Sequence, residues 1–231
     1  DIWSITNNQA GLAFIERPVV SSFYQNRFLI KELSTKSIGL AIPFEIVNAG
    51  IAFQYFGYSK YNEIKLDVCF ARKFGDNVAA GIDFSQYFRY MYNYPRQKIL
   101  YNLNIGLIWK ASENITMGFH CINIIPYNNY YQTVPQFNIS LVSGIRYYLN
   151  DNFSLLAQAE LNPYVGYSIN FGLEYNIIKN LCLETGINTH FSNPYFAFGF
   201  TYHFKKLKVG CSFYKNTYLP FSTSIEFSYI F

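Results

Sequence analysis

The chain has 231 residues, a formal net charge of +4, 20% aromatic residues and only 14% charged residues. That length suits one domain or one membrane barrel. Its basic residues are scattered, with no stripe for nucleic acid, and no run of about 18 apolar residues offers a membrane-spanning helix.

Residues 1–16 precede the first expected strand, and the barrel is expected over 17–231. No leader is visible at Asp1-Ile2-Trp3, so an exported chain is expected to have lost it before this point. From 17 onward the pattern has a period of two, which places successive side chains on opposite faces of a sheet. The expected strands span 17–28, 34–45, 49–60, 62–73, 77–91, 98–111, 114–124, 135–149, 152–162, 166–177, 180–191, 194–205, 206–217 and 221–231. No helical region or low-complexity linker is expected.

Ile64, Leu66, Val68 and Phe70 alternate with Lys65, Asp67, Cys69 and Ala71. Tyr101, Leu103, Ile105, Leu107 and Trp109 alternate with Asn102, Asn104, Gly106, Ile108 and Lys110. Further on, Phe137, Ile139, Leu141, Ile145, Tyr147 and Leu149 oppose Asn138, Ser140, Gly144, Arg146 and Tyr148. Tyr167 to Ile177 repeats the pattern, and from Tyr195 to Lys205 one face is Phe196, Phe198, Phe200, Tyr202 and Phe204. The final strand sets Ile225, Phe227, Tyr229 and Phe231 against Ser224, Glu226, Ser228 and Ile230.

Tilted strands of about nine to eleven residues cross a hydrocarbon core. A soluble sandwich also alternates. Here the apolar faces are large and aromatic, as at membrane interfaces, while the opposite faces mix Gly and Ala with ionisable groups, as in a confined lumen. The fold class expected is therefore all-β: a transmembrane antiparallel up-and-down barrel of about 14 strands.

Connections fall into two sets. Gly75-Asp76-Asn77, Ala111-Ser112-Glu113-Asn114, Asn150-Asp151-Asn152, Lys179-Asn180 and Lys205-Lys206 are compact hairpin turns. Met91 to Arg96, Ile125 to Tyr131 and Ser192-Asn193-Pro194 are longer and rich in Tyr, Pro and Asn. With both termini periplasmic in a bacterial outer membrane, the compact set is periplasmic and the longer set extracellular.

Asn7-Asn8-Gln9-Ala10-Gly11-Leu12-Ala13 resembles the Asn-Pro-Ala-Gly-Leu-Ala motif of fatty-acid-transporter-like (FadL-like) barrels, with Gln9 where that motif has Pro. Gln25-Asn26-Arg27-Phe28, Phe56-Gly57-Tyr58-Ser59 and Ala71-Arg72-Lys73-Phe74-Gly75 are similar to segments of the PorV/PorQ-like Bacteroidota branch. The resemblance implies fourteen strands and a short plug-like N-terminal segment, residues 1–16, in or under the lumen, with Asn7, Asn8, Ala10 and Gly11 as its motif. It also implies either passage of hydrophobic molecules or a place in export machinery such as type IX secretion. The terminal aromatics Phe227, Tyr229 and Phe231 resemble the signal read by barrel-assembly machinery.

Turning at Lys179 sets Glu174 beside Glu184; turning at Asn193-Pro194 sets Glu184 beside His203; turning at Lys205-Lys206 sets His203 beside Lys208. These four form a candidate lumen charge cluster, either a proton or cation site or, far more commonly, an ion-pair network. Lys65, Asp67, Asp83, Arg89, Lys110, Arg146 and Glu160 also point inward; their mixed signs predict an occluded lumen over an ion-selective pore.

His120, His190 and His203 make no HExxH, and neither GxSxG nor a phosphate loop occurs, so no catalytic residue, cofactor or metal is expected. Cys69, Cys121, Cys182 and Cys211 sit singly, without a CxxC pair, and read as small hydrophobes. The sequons at Asn114 and Asn138 read as chance.

Three functions fit. The leading expectation is a non-catalytic outer-membrane subunit of an export or assembly complex, in contact with lipid and with other outer-membrane or periplasmic proteins. The alternative is a FadL-like passive transporter of small hydrophobic molecules, for which Pro43 in the second strand could locally break pairing, although Pro also fits a strand end. A soluble lipocalin-like binder is the third.

Overall fold

In the computed structural model the described residues are 1–93, 98–124, 139–163, 166–189 and 194–231. They form a closed barrel of fourteen antiparallel strands. The strands are β1 (Val19–Asn26), β2 (Ser34–Ile42), β3 (Asn48–Tyr58), β4 (Tyr61–Phe74), β5 (Val78–Met91), β6 (Lys98–Lys110) and β7 (Ile115–Ile122). They continue as β8 (Ser140–Asn150), β9 (Phe153–Asn162), β10 (Gly166–Ile178), β11 (Leu181–Asn188), β12 (Tyr195–Phe204), β13 (Leu207–Asn216) and β14 (Ser222–Ile230). Each pairs with its chain neighbours, and β1 closes the ring on β14 from Val19↔Ile230 to Asn26↔Thr223. Closure leaves no sheet edge facing hydrocarbon, where unpaired backbone groups cannot find water.

The aromatic rows face outward. Phe196, Phe198, Phe200, Tyr202 and Phe204 of β12 are exposed, as are Tyr101, Ile105, Leu107 and Trp109 of β6 and Phe227 and Tyr229 of β14. In water such a surface would cost about 25 cal/mol per Å² of apolar area; acyl chains remove that cost, and the barrel is transmembrane. Among the described residues no helix is long and apolar enough to cross a membrane.

Both termini and all five compact turns lie at one end of the barrel, because each strand reverses the direction of the last. At that end Gly75 adopts φ +66° and Lys205 +52°, left-handed values that suit tight hairpins.

One expectation changes and one is settled. Residues 1–16 are not free of helix: α1 (Ser4–Asn7) and a 3-10 turn (Gln9–Phe14) fold within them, pieces too short to carry a helical hydrophobic period. Pro43 lies just past β2, which ends at Ile42. Pro lacks the N–H that the ladder requires, so it ends the strand and breaks no pairing inside it. The strand expected from 135 is described only from Ser140. Residues 94–96, 125–131, 192 and 193, with Phe137, Asn138 and His190, fall outside the described residues.

The buried apolar core lies within the ring. Ile2, Ile5, Ala10, Leu12, Ala13 and Ile15 of the N-terminal segment pack against Ala41, Ala52, Cys69, Ala71 and Ala79 on the inner wall.

Candidate lumenal site

Strand parity gives the inner wall a run of glycines. Gly39, Gly50, Gly81, Gly106, Gly118, Gly144, Gly172, Gly186, Gly199 and Gly210 occupy inward positions, in register with one another or with buried or polar residues. On β2 to β6 the space they leave is filled by the N-terminal segment. A Cβ on Gly39 would lie 3.3 Å from Ile2, one on Gly50 2.7 Å from Ile5, and one on Gly81 2.5 Å from the Gln9 backbone.

Asn8 fixes the segment's deepest turn. Its Nδ2 donates to the Leu107 carbonyl at 3.3 Å and the Phe119 carbonyl at 3.2 Å, and its Oδ1 accepts from Ala10 N at 3.1 Å. Gly11 is required by close approach, since a Cβ there would meet Ser4 Oγ at 2.4 Å. Asn48 of β3 holds the exit, donating to the Leu12 and Ile15 carbonyls at 2.9 and 2.8 Å. Phe14 lies between Lys73 and Lys110, whose ammonium groups sit 5.0 and 4.7 Å from its ring centre. Asp1 reaches Lys208 of β13 at 3.1 Å. The segment thus crosses the lumen from β13 to β6 and leaves by β3. Asn7 borders the open space beyond it.

A polar cluster that the sequence reading did not assemble stands on β4, β5 and β6. Ser85 Oγ lies 2.6 Å from Asp67 Oδ1 and 2.7 Å from Asp83 Oδ2, both carboxylates being fully buried. Lys65 pairs with Asp67 at 2.9 Å, Asn104 donates to Asp83 at 2.7 Å, and Asn123 N donates to Asn104 Oδ1 at 2.8 Å. A hydroxyl carries one proton, so Ser85 serves one carboxylate at a time, and Lys65 and Asn104 supply the remaining donors. A signal for this was present: a turn centred on Asp76 sets Asp67 opposite Ser85, as observed.

The expected cluster is only partly brought together. Glu174 and Glu184 are register partners, and so are His203 and Lys208. Glu184 does not sit beside His203; it faces Gly199, with Thr201 Oγ1 donating to it at 3.4 Å. The hairpin is displaced by four residues from the expected turn. An even displacement keeps every side chain on its face, so alternation could not detect it. Glu174 is held by Arg146 at 2.5 Å, and Lys208 joins Glu226 at 3.1 Å. Arg89 pairs with Glu63 at 2.7 Å. Among the described residues no group of three or more His, Cys, Asp or Glu could hold a metal ion. Cys69, Cys121, Cys182 and Cys211 are free thiols.

Beside the segment, on β6 to β10, the lumen stays open. This chamber of about 530 Å³ is bounded by Ser4, Asn7 and Asn8 on one side and by wall residues from Ile108 to Gly172 on the other. Two of its glycines face open space: a Cβ on Gly144 would be no closer than 3.6 Å to any neighbour, and one on Gly172 no closer than 3.5 Å, while Gly118 faces Asn8 Nδ2 at 3.4 Å. His120 lines it at 6% exposure, and its Nε2 has no hydrogen-bond partner among the described residues. The volume falls within the range of small-molecule sites.

Neither a protein-family model nor a curated protein matches the sequence. Solved structures do match across the whole barrel. The CymD monoaromatic hydrocarbon channel superposes with a TM-score of 0.78 at 11% identity, covering 100% of this chain and 93% of that one. A Pseudomonas aeruginosa FadL homologue gives 0.74 at 10% identity, covering 100% and 94%. The Pseudomonas putida toluene transporter TodX gives 0.69 at 9%, covering 98% and 92%. At such identities the likeness is one of fold.

Proposed function

We propose that this chain is a passive transporter of small hydrophobic molecules in a bacterial outer membrane, with both termini at the periplasmic face. The observation that carries the reading is the chamber left open beside the N-terminal segment. Charged and polar inner-wall groups are largely paired with one another, so the wall offers no single-signed track for ions. The matched structures named above are channels and transporters rather than enzymes. They favour transport over the export-subunit expectation, and none supports a PorV/PorQ-like or Bacteroidota assignment.

In this reading residues 1–16 are the plug, with Asn8, Ala10 and Gly11 at its deepest turn and Asn7 facing the chamber. Glu174, Glu184, His203 and Lys208 belong to the ion-pair lining of the wall. Phe227, Tyr229 and Phe231, on the lipid-facing row of the closing strand, serve recognition by the assembly machinery. The test is uptake of a labelled small hydrophobe by cells carrying the protein in a lipopolysaccharide-covered outer membrane. Uptake should exceed that of cells carrying Gly144→Leu, whose side chain fills the chamber. Equal uptake by both would refute transport through this space.

A further inference from the structure

The chamber's lining selects among hydrophobic molecules, and the selection rests on the transport reading above. Its apolar surface comes from Ile108, Val142 and Leu156, with Gly118, Gly144 and Gly172 leaving the room between them. Several of its polar groups are already engaged. Both Nδ2 protons of Asn8 and its Oδ1 are used within the protein. Asn170 is paired with Asn188 across the β10–β11 ladder.

Arg146 is the one lining residue of permanent positive charge among the described residues, and Glu174 holds it at 2.5 Å. Glu184 stands opposite Glu174 in the sheet, so a second carboxylate lies beside that ion pair. An anionic ligand would meet this excess negative charge with no free cation to receive it.

Among the chamber's lining groups His120 is the one whose buried side-chain nitrogen has no partner among the described residues. It sits on β7 between Gly106 of β6 and Val142 of β8, points into the lumen, and is 94% buried, the complement of its 6% exposure. Its Nε2 lacks a partner among the described residues. A plain hydrocarbon leaves that nitrogen unsatisfied, at the full desolvation cost; a hydroxyl or carbonyl oxygen satisfies it.

We infer that the chamber binds small uncharged hydrophobes bearing a single hydroxyl or carbonyl group, held by a hydrogen bond to His120, in preference to hydrocarbons and carboxylates of the same skeleton. Three probes share one skeleton: toluene, p-cresol and p-toluate. Each is titrated calorimetrically into the purified full chain in detergent micelles, with empty micelles as reference. The wild-type protein binds p-cresol about tenfold more tightly than toluene, the upper range for one net hydrogen bond, and p-toluate most weakly. His120→Leu abolishes the gap and leaves toluene binding unchanged. His120→Gln, which keeps a donor and an acceptor, retains part of the gap and guards against a folding defect in the first variant. Gly144→Leu abolishes binding of all three.

Equal affinity for toluene and p-cresol, a preference that survives His120→Leu, or tightest binding of p-toluate would each overturn the assignment of His120. Hydrocarbon binding that shows no preference leaves transport standing and removes only this selectivity. Failure of all three probes to bind removes both.

Discussion

Gly81→Ala is the sharpest probe of the packed half of the lumen. The new Cβ would lie 2.5 Å from Gln9 C, 2.7 Å from Gln9 O and 2.7 Å from Ala10 N. All three are backbone atoms, so no side-chain rotation relieves the contact. Carbon atoms prefer about 3.5–4.0 Å, and the segment must withdraw by roughly 1 Å or the wall must bend. Overpacking of this kind costs about 1–3 kcal/mol. Against it stand Ile2, Ile5 and Leu12, each at most 1% exposed, worth about 1.5–3 kcal/mol apiece when buried. The segment therefore stays docked, but its open state becomes more populated. Amide hydrogen exchange of the peptide covering 1–16, read by mass spectrometry in micelles, should accelerate roughly 5- to 150-fold, the factor equivalent to that cost. Gly144→Ala, whose Cβ meets nothing closer than 3.6 Å, should leave the exchange unchanged. Unaltered exchange in Gly81→Ala, or equal acceleration in both variants, would refute the packing argument.

Lys65→Met removes the cation from two fully buried carboxylates and should cost about 3–5 kcal/mol in denaturant unfolding; adding Asp67→Asn should recover much of the loss. Phe198→Arg places a charge in the middle of an outward row and should cost about 2–4 kcal/mol if that row meets the bilayer centre, whereas lumen-facing Thr201→Arg, beside Glu184, should change stability by no more than about 1 kcal/mol in the same unfolding assay. Asn48→Ala strands the Leu12 and Ile15 carbonyls and should cost about 1–3 kcal/mol, visible as faster exchange at residues 9–16 with the strands unaffected.

The barrel was legible because lipid and lumen impose opposite demands on alternate residues. The β12 row from Phe196 to Phe204 could face only hydrocarbon, and turns such as Gly75-Asp76-Asn77 fixed where each row reversed. Less of the interior was legible. The β11–β12 register was misjudged because a displacement by four residues leaves Glu184 facing inward either way, and only its neighbour changes, from His203 to Gly199. Gly39, Gly50, Gly81 and Gly106 read as small lumen residues, but what fills the hollow before each is set by contacts between positions far apart in sequence. The same holds for His120, an ordinary inward residue until β6 and β8 are placed on either side of it.

Pairing between β1 and β14 has a consequence for biogenesis. The ring is sealed by a seam that cannot zip until the fourteenth strand arrives. Residues 1–16 join directly onto β1, one side of that seam, and in the closed ring they lie against the inner wall where Asn48 and Gly81 receive them. The leading segment is thus moored to one lip of the seam that shuts the cylinder it occupies.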